Sequence, residues 1–338
     1  MNDRTRVAIV GAGAWGAQHT RVFSGRSDVE LLAVVGRNRE RTVARAAEFG
    51  IHPYTDIAQM LEQEQPDLVS VCLPNEAHFA PTLQLLQAGV ALLVEKPLSF
   101  ELGEADTLLR EADARHLFFA INFNHRYAKP VQLAASAVER GELGRLTFAT
   151  WRFGGESGNG THPYRNLIET QCHGFDMLEH LCGPISSVMA QATNDRAGDH
   201  PTMAVALHFA NGAVGSLVGT YDSSYAYPRT HTLELNGSQG RVLIDDTSRR
   251  YTQNRAGSET SHVWEAGYFN DDDRAFHRTF DRHVDALLHA LRTGAQPPVP
   301  ARAGHRALQL AAAAIRSAET GSRVPTSTDS PEQEAPDR

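Results

Sequence analysis

The sequence predicts an α/β protein of two domains. The first is a parallel sheet with helices on both faces; the second is an α+β domain with an open, mostly antiparallel sheet. Three observations carry this prediction. Strand and helix patterns alternate through the first third of the chain. From about residue 125 extended runs take over. The length, 338 residues, suggests two domains at about 150 residues each.

The strands of the first part are short apolar or β-branched runs at 6–10, 30–35, 67–73, 90–95 and 117–122. Helical patterns lie between them at 14–24, 38–49, 56–64, 76–88 and 101–115, with Asp56, Asn75 and Ser99 placed as N-caps. Beyond the change of pattern, helices are expected at 131–140 and 166–182, and strands at 146–153, 185–193, 202–210, 213–221, 230–236 and 240–245. Asn211-Gly212 and the stretch from Gly237 to Gly240 read as hairpin turns. Phe276, Phe280, Val284, Leu287, Leu288 and Leu291 recur at helical spacing, and a Pro-rich break at 297–300 precedes a last Ala-rich helix at 303–319. The expected boundaries are a first domain at 1–124, a second domain at 125–325, and a disordered tail at 326–338 that is polar and almost without apolar residues.

Apolar residues at 41% and charged residues at 21% exclude a largely disordered chain. A formal charge of −8 argues against a nucleic-acid partner, which needs a basic surface. The three cysteines do not make a paired framework, and no apolar run is long enough to span a membrane. With no signal-peptide pattern at the start, a cytoplasmic protein is expected.

Val7-Ala8-Ile9-Val10 runs into Gly11-Ala12-Gly13-Ala14-Trp15-Gly16, and a helix pattern follows. In this strand–loop–helix context the three glycines serve a tight turn, close approach of main chain to a pyrophosphate, and close helix–strand packing, while the helix N-terminus supplies N–H groups to the phosphates. The first domain therefore reads as a Rossmann dinucleotide-binding fold. The second strand ends in Val35-Gly36-Arg37-Asn38-Arg39, where an NAD site usually carries an acid for the ribose hydroxyl. A guanidinium pairs instead with a 2′-phosphate, so Arg37 favours NADP over NAD. The competing reading gives these arginines to a solvated helix start and leaves NAD held by main chain and Asn38.

Further motifs follow in order: Leu73-Pro74-Asn75-Glu76-Ala77-His78, then Gln87-Ala88-Gly89-Val90, then Glu95-Lys96-Pro97, then Asn122 to Tyr127, then His173-Gly174-Phe175-Asp176 with Gly183. Over about residues 5 to 325 the chain resembles the glucose–fructose oxidoreductase, inositol dehydrogenase and rhizopine catabolism family (Gfo/Idh/MocA). The resemblance implies an oxidoreductase that moves a hydride between a nicotinamide and a hydroxyl or carbonyl of a sugar, sugar derivative or cyclitol. It implies a cofactor site built from Gly11, Gly13, Ala14, Trp15, Gly16, Arg37, Asn38, Leu73, Pro74, Asn75, His78, Glu95, Lys96 and Asn122.

Lys96 follows a strand end, where ligands meet open α/β sheets, and its ammonium can hydrogen-bond a substrate oxygen. The resemblance makes it a catalytic and substrate-orienting residue. An imidazole titrates near about 6.5, so His173 is a candidate proton carrier, and Glu169, four residues earlier, is expected on the same helix face. Family members commonly carry Asp at that position, so Glu169 either touches substrate or orients His173. Tyr164 and Arg165, in the polar Gly-rich segment before this helix, and Arg126, after the last Rossmann strand, are further candidates for binding substrate. A His173-Asp176-His180 metal site fits the spacing, but chance spacing is common among sixteen histidines, and no metal is expected. Two alternatives stand beside the dehydrogenase: a glycosidase that retains NAD, and a non-catalytic nicotinamide-binding sensor. A homo-oligomer, dimer or tetramer, is expected to cover the open sheet face.

Overall fold

The fold is that of a computed structural model, which describes residues 4–74, 77–156, 160–194, 198–266 and 275–326. The chain begins with β1 (Thr5–Val10), α1 (Ala14–Ser24), β2 (Val29–Val35), α2 (Arg39–Phe49), β3 (His52–Tyr54), α3 (Ile57–Glu64), β4 (Leu68–Val71), α4 (Phe79–Gln87), β5 (Ala91–Val94), α5 (Leu102–Ala114) and β6 (Phe119–Ile121). It continues through α6 (Lys129–Glu139), β7 (Leu146–Gly154), a π-helical turn (Asn166–Thr170), α7 (Cys172–Cys182), β8 (Ile185–Ala192), β9 (Thr202–Phe209), β10 (Val214–Thr220), β11 (His231–Gly237), β12 (Gly240–Asp245), β13 (Arg250–Arg255) and β14 (Ser261–Glu265). α8 (His277–Thr293), α9 (Ala301–Thr320) and β15 (Val324–Pro325) close it.

β1 to β6 form one parallel sheet in the order β3-β2-β1-β4-β5-β6. This is the doubly-wound order in which the chain reverses beside the first strand, so a crevice opens at the strands' carboxyl ends. Five of the strands were legible because both faces are covered and the run is nearly all apolar, as in β1 and β4. β3 is missed by the sequence reading: it has three residues with Pro53 in the middle, which an edge strand tolerates. Asp56 caps α3 as expected, its side chain accepting from the Gln59 main chain at 2.8 Å. Ser99 does not cap α5; Glu101 stands at that place, and the Ser99 hydroxyl donates to the Glu101 carbonyl at 2.8 Å. Asn75 lies outside the described residues.

The chain divides into two compact units. The first holds residues 1–133 and takes the chain back at 247–250 and 264–308, a return that a single boundary at 124 does not express. Its reason is α8: Phe280, Val284, Leu287 and Leu288 are buried in one core with Val7, Ile9, Phe23, Val34, Leu68 and Leu93. The helical spacing of those residues supplies the apolar stripe that the sheet face needs.

The second unit is built on a nine-stranded sheet in the order β14-β13-β12-β11-β7-β10-β9-β8-β15. Within it β7 and β10 run parallel, while β7–β11, β11–β12, β9–β10, β8–β9 and β8–β15 pair antiparallel. The two expected hairpins join β9 to β10 and β11 to β12. β9 alternates buried and exposed residues, the mark of a sheet covered on one face. The covering element is α7, whose Gly174 lies against Trp151 of β7 and Leu217 of β10. Thr326 is buried and bonds the Ile185 and Ser186 carbonyls; residues 327–338 lie outside the described residues. No helix among the described residues is long and apolar enough to cross a membrane.

Candidate active site

In the first unit the glycine loop joins β1 to α1 in little space. Gly11 has φ +130, and a Cβ there would stand 2.2 Å from the Cys72 carbonyl oxygen. A Cβ on Gly16 would stand 1.8 Å from the Gly11 carbonyl oxygen. Both positions exclude any side chain. Gly13 differs: nothing lies within 4 Å of its Cβ position, so the loop is open there. Gly13 is the N-cap of α1 and offers no side chain to it. The first N–H groups of α1, on Ala14, Trp15 and Gly16, are therefore the donors that an anion would meet. Trp15 is 44% exposed and stacks on Phe280 with ring centroids 5.8 Å apart.

At the end of β2, Arg37 is exposed. Asn38 caps α2, its side-chain oxygen accepting from the Arg41 main chain at 2.9 Å. Arg39, Thr42, His52, Tyr54, Thr55 and Gln59 line a polar groove beside it.

The ends of β4 and β5 carry the densest chemistry. His78 is buried, and its ring nitrogens lie 2.9 Å from the Pro97 carbonyl and 2.8 Å from the Leu73 carbonyl. It ties the Leu73-Pro74 loop to the segment after β5, with no ring nitrogen left for a ligand. Burial keeps its pKa below the usual value. Glu95 is buried and accepts from His19 (2.7 Å) and Asn122 (2.6 Å) on one oxygen, and from the Lys96 main-chain N–H (3.2 Å) on the other. Asn122 is buried as well, and its oxygen faces Nδ1 of His283 at 2.8 Å. Of this cluster Lys96 alone is half-exposed. Only two of the 32 basic Lys and Arg residues in the chain are lysines, Lys96 and Lys129. Arg126 is half-exposed, and its neighbour Tyr127 stacks on His283 at 4.7 Å.

In the second unit the continuous helix expected over 166–182 is two pieces. Residues 166–170 form a π-helical turn, closed by the Gln171 N–H donating to the Asn166 carbonyl at 3.0 Å, and the α-helix starts only at Cys172. Gln171 explains the break. It is fully buried, accepts from the Trp151 indole at 3.0 Å, and donates to Asn166 Oδ1 at 3.0 Å and to the Phe153 carbonyl at 3.2 Å. The junction falls between Glu169 and His173, so the α-helical spacing behind their shared face does not hold. Glu169 is half-exposed and faces the Tyr221 hydroxyl at 3.5 Å, while that hydroxyl lies 2.7 Å from the Thr170 hydroxyl. Burial, with Glu169 nearby, raises the Tyr221 pKa. His173 is buried at the start of α7.

Tyr164 stacks on His200 at 4.3 Å and bonds Glu319, and Arg165 is ion-paired with Asp199 at 2.7 Å. Both candidates thus already hold internal partners. His19, His283, Gln171 and Tyr221 are missed by the sequence reading. Their partners lie far off in the chain, as His19 with Glu95, and no local spacing signals them. Among the described residues no group of three or more His, Cys, Asp or Glu is arranged to hold a metal ion.

Comparison with known proteins fits this geometry. Residues 5–123 match the family model described as "Oxidoreductase family, NAD-binding Rossmann fold", and residues 136–326 match the one described as "Oxidoreductase family, C-terminal alpha/beta domain". The chain belongs to the Gfo/Idh/MocA oxidoreductase family. Among its relatives is a myo-inositol 2-dehydrogenase of Thermotoga maritima, 25% identical with 93% of this chain and 96% of the relative covered. A D-glucoside 3-dehydrogenase of Escherichia coli is 28% identical over 94% of this chain and 97% of its own. A levoglucosan dehydrogenase solved with NADH and levoglucosan shares the fold at a TM-score of 0.86 and 18% identity, over 96% of this chain and 99% of that one. The family's Rossmann domain and its C-terminal α/β domain are thus both present, in the order that the sequence motifs implied.

Proposed function

We propose that the protein is a nicotinamide-dependent dehydrogenase that exchanges a hydride with a hydroxyl or carbonyl group of a sugar, sugar derivative or cyclitol. The observation that carries this reading is the pairing of an open cradle at Gly13 with the half-exposed Lys96 in the same parallel sheet. The cradle fits a dinucleotide: a Cβ would fill the turn at Gly11 and Gly16, whereas Gly13 leaves room for a pyrophosphate against the first N–H groups of α1. When bound, the nicotinamide supplies the acceptor or donor of the hydride. Lys96 then holds the substrate oxygen and exchanges its proton, because an alkoxide developing at that oxygen needs a cation or a donor within hydrogen-bond reach. Lys96, His173 and Glu169 are the residues to which we assign the reaction. Glu95, His78 and Asn122, committed to buried partners, shape the surface from beneath.

NADP is the proposed cofactor, with NAD as the competitor. Supporting NADP are the exposed Arg37 and the nearby Arg39, with no acid between them. The sugar and cyclitol dehydrogenases among the relatives support the substrate class. The open face of the second sheet, with Met189 and Val214 exposed, supports a homo-oligomer, and three buried cysteines outside any disulfide support a reducing compartment. The test is a panel of sugars, glycosides and cyclitols with NAD or NADP, followed at the reduced-nicotinamide absorbance band. Reduction with at least one polyol is expected, and Arg37→Ala should lower the preference for NADP about tenfold or more. A soluble, cofactor-binding protein that reduces neither nucleotide with any polyol would overturn the proposal.

A further inference from the structure

Beneath Lys96 runs a line of buried polar groups drawn from several segments of the first unit. His19 on α1 is 1% exposed. Its Nε2 lies 2.7 Å from Glu95 Oε1, and its Nδ1 lies 2.8 Å from the Ser70 hydroxyl, which in turn is 3.6 Å from the Cys72 sulfur. Asn122 donates its amide to the same Glu95 oxygen, so its own oxygen is left to accept from His283 Nδ1. The His283 proton is thus spent on Asn122, and that ring cannot also serve Glu95. The remaining oxygen of Glu95 accepts the Lys96 main-chain N–H.

The charges in this line are unequal. Glu95 brings one carboxylate into a site away from water. The other titratable rings facing Lys96 and Glu95 do not balance it: burial holds His78 down, and burial with the Lys96 charge holds His125 at about 3. Burial with the His19 charge holds His283 at about 3, and Arg126 acts in the same sense. His19 is the imidazole bonded directly to the carboxylate. An imidazolium there donates from both nitrogens, to Glu95 and to Ser70, and Ser70 is free to donate onward to Cys72.

We propose that His19 is a positioning residue for Lys96: as an imidazolium it balances Glu95 from below, so that Glu95 anchors the Lys96 main chain without leaving a net negative charge beside the Lys96 ammonium. Burial opposes both charges. For His19 it is outweighed by Cys72 and Glu95, which lift the ring to about 10. For Glu95 it is outweighed by the His19 bond, which holds the carboxyl at about 2. A lone carboxylate beside an ammonium stabilises the charged form and makes the amine hold its proton to higher pH. His19 removes that bias. The inference rests on the reading of Lys96 as the proton-exchanging group, and its test needs no substrate.

Because the chain has two lysines, the full-length protein can be methylated with 13C-formaldehyde and both dimethyl-lysine signals followed by NMR against pH. Lys96→Arg assigns the signals, and Lys129 serves as internal reference. His19→Gln should raise the Lys96 midpoint by about one pH unit, tenfold in proton affinity, and leave Lys129 in place. Adding Glu95→Gln should return Lys96 toward its original midpoint. Coincident Lys96 midpoints in the parent and His19→Gln, or a double variant displaced as far as His19→Gln alone, overturn the proposal. Should His19→Gln fail to fold, 15N signals of the parent protein decide: His19 charged well above the ordinary histidine value of about 6.5 supports it, and a neutral His19 there overturns it. Failure of every polyol in the turnover panel would sink the dehydrogenase reading and leave these titrations untouched.

Discussion

Gly13 and Gly16 are three residues apart in one loop, yet alanine at each should do different damage. At Gly16 a methyl would stand 1.8 Å from the Gly11 carbonyl oxygen, where real contacts are never under 3.0 Å. The start of α1 must move off the loop by at least about 1.2 Å. A hydrogen bond of about 2.9 Å from an α1 N–H to a phosphate does not survive that displacement. Bonds to charged groups are each worth about 1.5–3 kcal/mol, so losing one weakens dinucleotide binding about 10- to 150-fold. The same strain should lower the urea midpoint of unfolding. Gly13 has φ −79 and open space at its Cβ position, so Gly13→Ala should fold with a urea midpoint close to the parent's. Its methyl would occupy the cradle itself, and binding should still fall. Calorimetric titration with NAD and NADP, beside urea unfolding, reads both effects. Parent-like affinity in Gly16→Ala, or in a well-folded Gly13→Ala, would refute the assignment of this loop to the pyrophosphate.

Lys96→Met should reduce kcat about 100-fold or more while leaving dinucleotide affinity near the parent value, measured by turnover and calorimetry on one preparation. Phe280→Ala removes a buried ring that supports Trp15 and His19, and should cost about 3 kcal/mol in urea unfolding, with Trp15 emission shifted to the red. The His19–Glu95 pair gives stability a pH window. The raised histidine contributes fully below its usual 6.5 and loses its share as pH climbs through about 10; the depressed carboxyl contributes above its usual 4.5 and loses its share as pH falls toward 2. The stability difference between parent and His19→Gln should therefore narrow from pH 7 to 10; a constant difference would contradict an ion pair. Tyr221→Phe frees the Thr170 hydroxyl from its partner and removes the donor facing Glu169, and should raise the KM of whichever polyol turns over, with little change in stability.

The sheet of the first unit was legible because its strands are nearly unbroken apolar runs and the glycine loop has its full strand–loop–helix context. β3 was not, because its three residues, His52-Pro53-Tyr54, form no apolar run and carry a proline in the middle. The helix over 166–182 was legible as helical material but not as π-turn plus α-helix. That break is set by Gln171 bonding Trp151, twenty residues away on β7, and no local pattern encodes it. The exposed part of the site, Lys96 and the glycine loop, could be named from motifs. What lies beneath it could not: Glu95 meets His19 across 76 residues and Asn122 meets His283 across 161, and these pairings exist only once the sheet has formed. The same kind of buried pairing gives His78, Glu95 and Asn122 protein partners that no motif announces.

The most direct test of the central claim follows the hydrogen itself. A polyol that turns over would be supplied with deuterium at the reacting carbinol carbon, and the reduced cofactor analysed by mass spectrometry. The label should appear in the nicotinamide ring, at a rate that Lys96→Met lowers with the overall turnover. Label recovered in water, or a free sugar released from a glycoside with no net cofactor reduction, would contradict it.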